Sequence, residues 1–132
     1  MTEPRRIIIA MGSNHQQQSH IDMAREFLRD AFLGVCFSDM LWTEPIGVAS
    51  DKFLNGLAVA FTPLDEAAIT AMLKDIERLC GDSPALRRCN IVNMDLDLLC
   101  FDGERRHDGD WERPYIKTLM KCLDTSLSLS HS

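Results

Sequence analysis

Strand-like runs and helical segments alternate along this chain in the order βαββαβ, followed by one more helix, which predicts an α+β sandwich. Three observations carry that expectation. An apolar, β-branched run over Arg6–Met11 is too short for a helix and reads as a buried strand. Apolar residues recur at helical spacing after Ser19 and again after Thr62. The segment Asn93-Met94-Asp95-Leu96-Asp97-Leu98-Leu99-Cys100-Phe101 has strand length and alternates acids with leucines.

The elements follow in order. Gly12-Ser13-Asn14 turns the chain after the first strand. Ser19-His20-Ile21-Asp22 resembles a capping box, and Ile21, Ala24, Leu28, Ala31 and Phe32 form the apolar stripe of a helix ending at Gly34. Val35–Trp42 reads as a second strand, and Pro45 and Gly47 punctuate the loop after it. Phe53–Phe61 is a third strand in which Asn55 is the polar exception. Thr62 is the expected N-cap of the second helix, with Pro63 at its first position, Ile69, Met72, Leu73, Ile76 and Cys80 as its buried stripe, and Gly81 closing it. Asp82–Asn90 reads as a polar loop and Ile91–Phe101 as the fourth strand, ended by Asp102-Gly103. Pro114 opens a last short helix with Ile116, Leu119, Met120 and Leu123 on one face, and residues 124–132 read as a flexible Ser-rich tail. The pattern is that of a ferredoxin-like sandwich: an antiparallel sheet with helices on one face and a second face to be covered, solvated or used for binding.

With 132 residues the chain is long enough for one domain with a real core and too short for two. A net charge of -6 argues against a broad nucleic-acid surface, though a local base or a metal can still hold a nucleotide. The five cysteines are scattered, without Cys-x-x-Cys pairs, so neither a disulfide framework nor a zinc site is indicated. The apolar stretch behind Arg5-Arg6 is too short for a signal peptide or a membrane span, so the cytoplasm is the expected location. The histidines lack metal-ligand spacing, and no Walker or dinucleotide motif occurs.

Asp95 and Asp97 share one face of their strand. Like charges that close repel, and burying them is costly unless a cation or donor answers. A hard divalent ion such as Mg²⁺ would answer them and would arrive with phosphates. The alternative is a strand end carrying two solvated acids.

Taken in order, Gly12-Ser13-Asn14, Thr43-Glu44-Pro45-Ile46-Gly47, Phe53-Leu54-Asn55, Ile76-Glu77 before Gly81, and Asp95-Leu96-Asp97 resemble the hydroxymethyl-dihydropterin pyrophosphokinases of folate biosynthesis. The resemblance implies ATP-dependent transfer of pyrophosphate to the hydroxymethyl group of the pterin, with release of AMP. It implies two Mg²⁺ ions on Asp95 and Asp97, with Arg88 joining them at the phosphates. It places Thr43, Glu44, Ile46, Phe53 and Asn55 at the pterin, and Glu77, Arg87, Leu98 and Tyr115 on the nucleotide side. An amide such as Asn55 offers both a donor and an acceptor to the pterin edge, and Phe53 offers a flat face. As lone residues they would be a loop-bonding Asn, a core Phe and, at Glu77, a solvated helix acid.

Most of the departures concern phosphate contacts. The family's arginine three residues before the first aspartate is Val92 here, its tryptophan is Cys89, and its Pro-His-Tyr reads Pro114-Tyr115-Ile116. A further arginine is matched by Lys121, the aromatic above the pterin by Leu123, and a loop proline by Glu44. The pterin side and acid pair are therefore intact and the phosphate clamp is depleted. Arg87 or Arg88 would have to close over the triphosphate from a mobile loop. Arg105, Arg106, Arg113, Lys117 and Lys121 read as solvated surface bases unless one compensates. The same residues fit two other readings: a pterin- or nucleotide-binding module of weakened activity, and a ferredoxin-like interaction domain. The oligomeric state is not encoded in any of these features.

Overall fold

Strand β1 (Arg5–Ser13) lies at the centre of the sheet because its neighbours pair with both of its edges. The computed structural model describes residues 3–45 and 50–130, without the side chains of 122 and 124–130. After β1 come α1 (Gln17–Ala31), β2 (Cys36–Phe37), β3 (Leu41–Thr43), β4 (Phe53–Thr62), α2 (Glu66–Leu79) and α3 (Pro84–Arg88). The chain continues through β5 (Asp95–Phe101), β6 (Glu104–Arg105), α4 (Asp108–Trp111) and α5 (Pro114–Ser130). The described strands form one sheet in the order β2-β4-β1-β5-β6, with β3 also on β4, and every pairing is antiparallel. The predicted α+β class and its βαββαβ core are both present.

Alternation along β1 divides the molecule. Ile7, Ile9 and Met11 pack with Ile21, Leu28, Ile69, Leu73, Leu96 and Leu98 under α1 and α2. Ile8 faces the other way, into a second core with Leu57, Val59, Leu99, Trp111, Ile116 and Leu119. Burying each such large apolar side chain contributes about 1.5–3 kcal/mol. The second face, left open by the sequence, is thus covered by α5, and the expected short helix is 17 residues long. Its backbone helix continues through the Ser-rich segment to Ser130. Between Ile8 and Ile9 the register against β5 slips: Ile8 opposes Cys100 and Ile9 opposes Leu98, so Leu99 is surplus. This bulge directs both Leu99 and Cys100 to the second core.

Several boundaries differ from expectation, each for a local reason. Helix α1 starts at Gln17 after a left-handed Gln16 rather than at the Ser19 box, and Asp22 accepts from Gln18 within the helix. Thr62 remains in the β4 ladder opposite Arg5, so Asp65 caps α2 by accepting from the Ala68 N–H. The single strand expected over 35–42 is two, because Ser38 exchanges hydrogen bonds with the Leu57 backbone through its own N–H and hydroxyl. The loop expected over 82–90 holds helix α3, whose cap is Ser83.

Strand β5 begins at Asp95 rather than Ile91 because Asn14 takes up the preceding backbone. Its amide donates to Asn90 O (2.8 Å), and its side-chain oxygen accepts from the Val92 N–H (2.7 Å). The Asn14 N–H also donates to Val92 O (3.0 Å). Asn14→Ala is expected to lower stability by about 2–3 kcal/mol in urea denaturation, through the two lost side-chain bonds. An unchanged midpoint would show that those bonds do not hold the segment.

Candidate active site

The register of β1 sets the site. Gly12 opposes Asn55 on β4 and Asp95 on β5, while Ala10 opposes Leu57 and Asp97. An amide and two carboxylates therefore stand on either side of a strip with almost no side chain. A Cβ on Gly12 would lie 2.8 Å from the Asn55 Oδ1, so only glycine leaves that oxygen where it is. Asn55 is 7 % exposed, and its Nδ2 donates to the Thr43 Oγ1 at 2.7 Å. Strand β3 thus fixes the orientation of the amide.

Above this strip lies a cavity of about 500 Å³. Ala10 and Gly12 belong to its sheet face, with Thr43, Glu44, Phe53 and Asn55 on the β3–β4 side. Asp95 and Asp97 stand on the β5 side, and Asp110, Arg113, Pro114, Tyr115 and Ile116 come from α4 and the start of α5. The volume suits a small organic ligand. A second cavity of about 400 Å³ lies beside α2 and β5, lined by Thr70, Lys74, Leu96, Leu98, Arg106 and His107 among others. Among the described residues Asp97 alone lines both cavities.

The acid pair is electrostatically strained. Burial, and then the neighbouring Asp95 charge, raise the Asp97 carboxyl to about 7. Asp95 is better answered, because Arg87 donates to its Oδ1 at 3.3 Å. Arg87 also donates to Asp82 Oδ2 (2.8 Å) and to Met94 O (3.1 Å). Glu77 is buried, and its Oε2 accepts from the Leu96 N–H at 2.8 Å. Desolvation raises its pKa despite that bond and the Lys74 ammonium at 3.1 Å.

The sequence-predicted residues therefore divide. Thr43, Glu44, Phe53, Asn55, Asp95, Asp97 and Tyr115 meet at the first cavity, and Leu98 lines the second. Glu77 and Arg87 line neither; they brace the start of β5 from behind, and Glu77 is no solvated helix acid. Arg88 is exposed at the end of α3 and lines neither cavity, and its side chain makes no hydrogen bond or ion pair among the described residues. Ile46 lies outside the described residues. Arg113 lines the first cavity rather than the open surface, and Asp110 beside it was not anticipated. The signal for both was Pro114, which fixes where α5 begins and hence what precedes it.

Among the described residues no group of three or more His, Cys, Asp and Glu forms a metal site. Two half-buried carboxylates on one strand face do fit Mg²⁺ binding in which phosphates and water complete the coordination.

Residues 8–129 match the 7,8-dihydro-6-hydroxymethylpterin-pyrophosphokinase family. The chain belongs to this family. Among curated proteins none matches it. The family is one of pyrophosphokinases in folate biosynthesis, acting on a pterin and ATP with Mg²⁺, and the α+β antiparallel architecture agrees with it. Among the described residues no helix is long and apolar enough to cross a membrane.

The raised Asp97 carboxyl has a consequence for stability. Below the ordinary carboxyl pKa both folded and unfolded chains hold the proton. Between about pH 4 and pH 7 only the folded chain still holds it, so stability without ligand falls as pH rises through that window. Thermal melts should show this decline, with Asp97→Asn flattening it and melting higher at neutral pH. A decline just as steep in Asp97→Asn would show that Asp97 is not its source.

Proposed function

We propose that this chain transfers the pyrophosphoryl group of ATP to the hydroxymethyl oxygen of 6-hydroxymethyl-dihydropterin and releases AMP, in the cytoplasm. The observation that carries the reading is the position of Asp97, on the border between two cavities with Asp95 beside it. A pterin in the first cavity and a nucleotide base in the second would bring the triphosphate across this acid pair.

The chain's own residues supply binding and alignment. Asn55, held by Thr43, pairs with the pterin's amide edge, and Phe53 gives the ring a face to stack on. Glu44 lines the cavity from the end of β3 and contacts the pterin there. Leu98 sits beside the nucleotide base, with Glu77 holding the strand that carries it. Tyr115 lies on the α5 side, above the phosphates. Asp95 and Asp97 would hold two Mg²⁺ ions, which would neutralise phosphate charge and orient the transfer. Arg87 keeps Asp95 in place and adds positive charge behind it. Arg88 reaches the phosphates only by an inward movement of α3, so Arg87→Ala should slow turnover more than Arg88→Ala.

A pterin-binding module with weakened turnover is the second reading. It is favoured by the scarcity of bases at the first cavity, where Arg113 stands among Glu44, Asp95, Asp97 and Asp110. An interaction domain is disfavoured, because Asn55 faces a ligand-sized cavity. An AMP-release assay separates the two remaining readings. Asn55→Ala should weaken pterin binding by about 1–3 kcal/mol in calorimetry, since the ligand's polar edge would be buried unpaired. AMP formed no faster than without protein, while pterin still binds, would leave only the binding module.

A further inference from the structure

The first cavity is lined by four carboxylates and one base. The acids are Glu44, Asp95, Asp97 and Asp110, and the base is Arg113. Such a lining repels a triphosphate, and bound Mg²⁺ offsets only part of that repulsion. Any protein cation that meets the transferred phosphates must be within reach and free to change partner.

Four other described bases near the site are committed elsewhere. The Arg87 guanidinium is shared among Asp82, Met94 O and Asp95. Arg106 makes a bidentate pair with Glu66 (2.9 and 2.9 Å). Arg105 lies over the Trp111 ring, 4.5 Å from its centroid. Lys117 pairs with Glu112 at 3.2 Å.

Arg113 differs from these. It enters the cavity from the residue just before α5, where Pro114, Tyr115 and Ile116 also line the wall. Its side chain is 44 % exposed, and its ion pair with Asp110 is loose at 3.4 Å, with a single nitrogen. A half-exposed pair of this kind contributes little and is easily exchanged. Tyr115, two residues on, lines the same cavity. A guanidinium can bind phosphate oxygens with two parallel bonds, which is stronger than one loose carboxylate contact.

We infer that Arg113 is a catalytic residue of the proposed transfer, parked on Asp110 until a triphosphate enters and then bound to the oxygens of the migrating pyrophosphoryl group. The inference rests on the pyrophosphokinase reading above. In that reaction the pterin hydroxymethyl oxygen forms a bond to the β-phosphorus of ATP. The bond from the β-phosphorus to the oxygen bridging the α-phosphate breaks, AMP leaves with that oxygen, and the hydroxyl proton passes to solvent. Arg113 undergoes no covalent change. It holds the β- and γ-phosphate oxygens as charge redistributes around the phosphorus. Asp110 is the internal counter-ion that the substrate displaces.

The test uses the full chain with Mg²⁺, pterin and an ATP analogue carrying a methylene bridge between the α- and β-phosphorus, followed by AMP release with ATP itself. Arg113→Ala should weaken analogue binding about tenfold or more and slow AMP release roughly 100-fold or more, with pterin affinity unchanged. Arg113→Lys, which keeps the charge, should recover part of both losses and confirms that the site still folds. Asp110→Asn should bind the analogue about two- to fivefold tighter, and that gain should shrink when Arg113 is alanine to the part that relieves carboxylate repulsion alone. Analogue binding and AMP release within twofold of wild type in Arg113→Ala would overturn the assignment. So would an Asp110→Asn gain that is just as large without Arg113. A wild-type chain that releases no AMP would end the pyrophosphokinase reading, and the turnover role of Arg113 with it. The calorimetric cycle would then decide whether Arg113 receives the triphosphate at all.

Discussion

The pairing of β1 with β4 on one edge and β5 on the other is the constraint on which the site depends. It sets Asn55, Gly12 and Asp95 in one cross-strand row and Leu57, Ala10 and Asp97 in the next. Small residues at the two central positions keep the strip between amide and carboxylates open. A larger side chain at Gly12 would strike the Asn55 oxygen before it filled any cavity. Both chemical halves of the site are therefore carried by backbone hydrogen bonds of the sheet, among the most rigid parts of a domain.

The acid pair is costly to hold without a ligand, and the surrounding structure shows how that cost is met. Arg87 answers Asp95 directly, while Glu77 accepts from the Leu96 N–H between the two aspartates. Asn14 anchors the segment that leads into them. Asp97, by contrast, is left under-compensated. That imbalance gives a cation a reason to bind there, because neutralising Asp97 relieves a penalty already present in the folded chain. The asymmetry between two acids on one strand follows from their neighbours, since the residue type is the same.

Periodicity made much of this legible in the sequence. The βαββαβ order, the facing of Asp95 and Asp97, and the grouping of Thr43, Glu44, Phe53 and Asn55 follow from alternation and from motif order, which local residues determine. What escaped depends on contacts distant in sequence. The late strand start at Asp95 reflects Asn14 reaching across to Asn90 and Val92. Glu77 reads as a solvated helix acid until β5 is laid beside α2. Arg113 reads as a surface base until α5 is seen to cover the second face. The short helix over Pro84–Arg88 was hidden by its polarity, although Ser83 and Pro84 are an ordinary cap and first residue.

The surplus residue in β5 bears on how such a chain tolerates changes in length. Strand facing has a period of two, so gaining or losing one residue normally turns everything beyond it to the opposite side. Ahead of Asp95 such an event would aim both carboxylates at α2 and abolish the chemistry. At Leu99 the ladder already carries an odd residue between Leu98 and Cys100. Slippage there is confined to the hairpin side, while Asp95 and Asp97 keep their places opposite Gly12 and Ala10. The bulge thus separates a stretch of strand whose phase sets the acids from one in which a change of one residue leaves them in place.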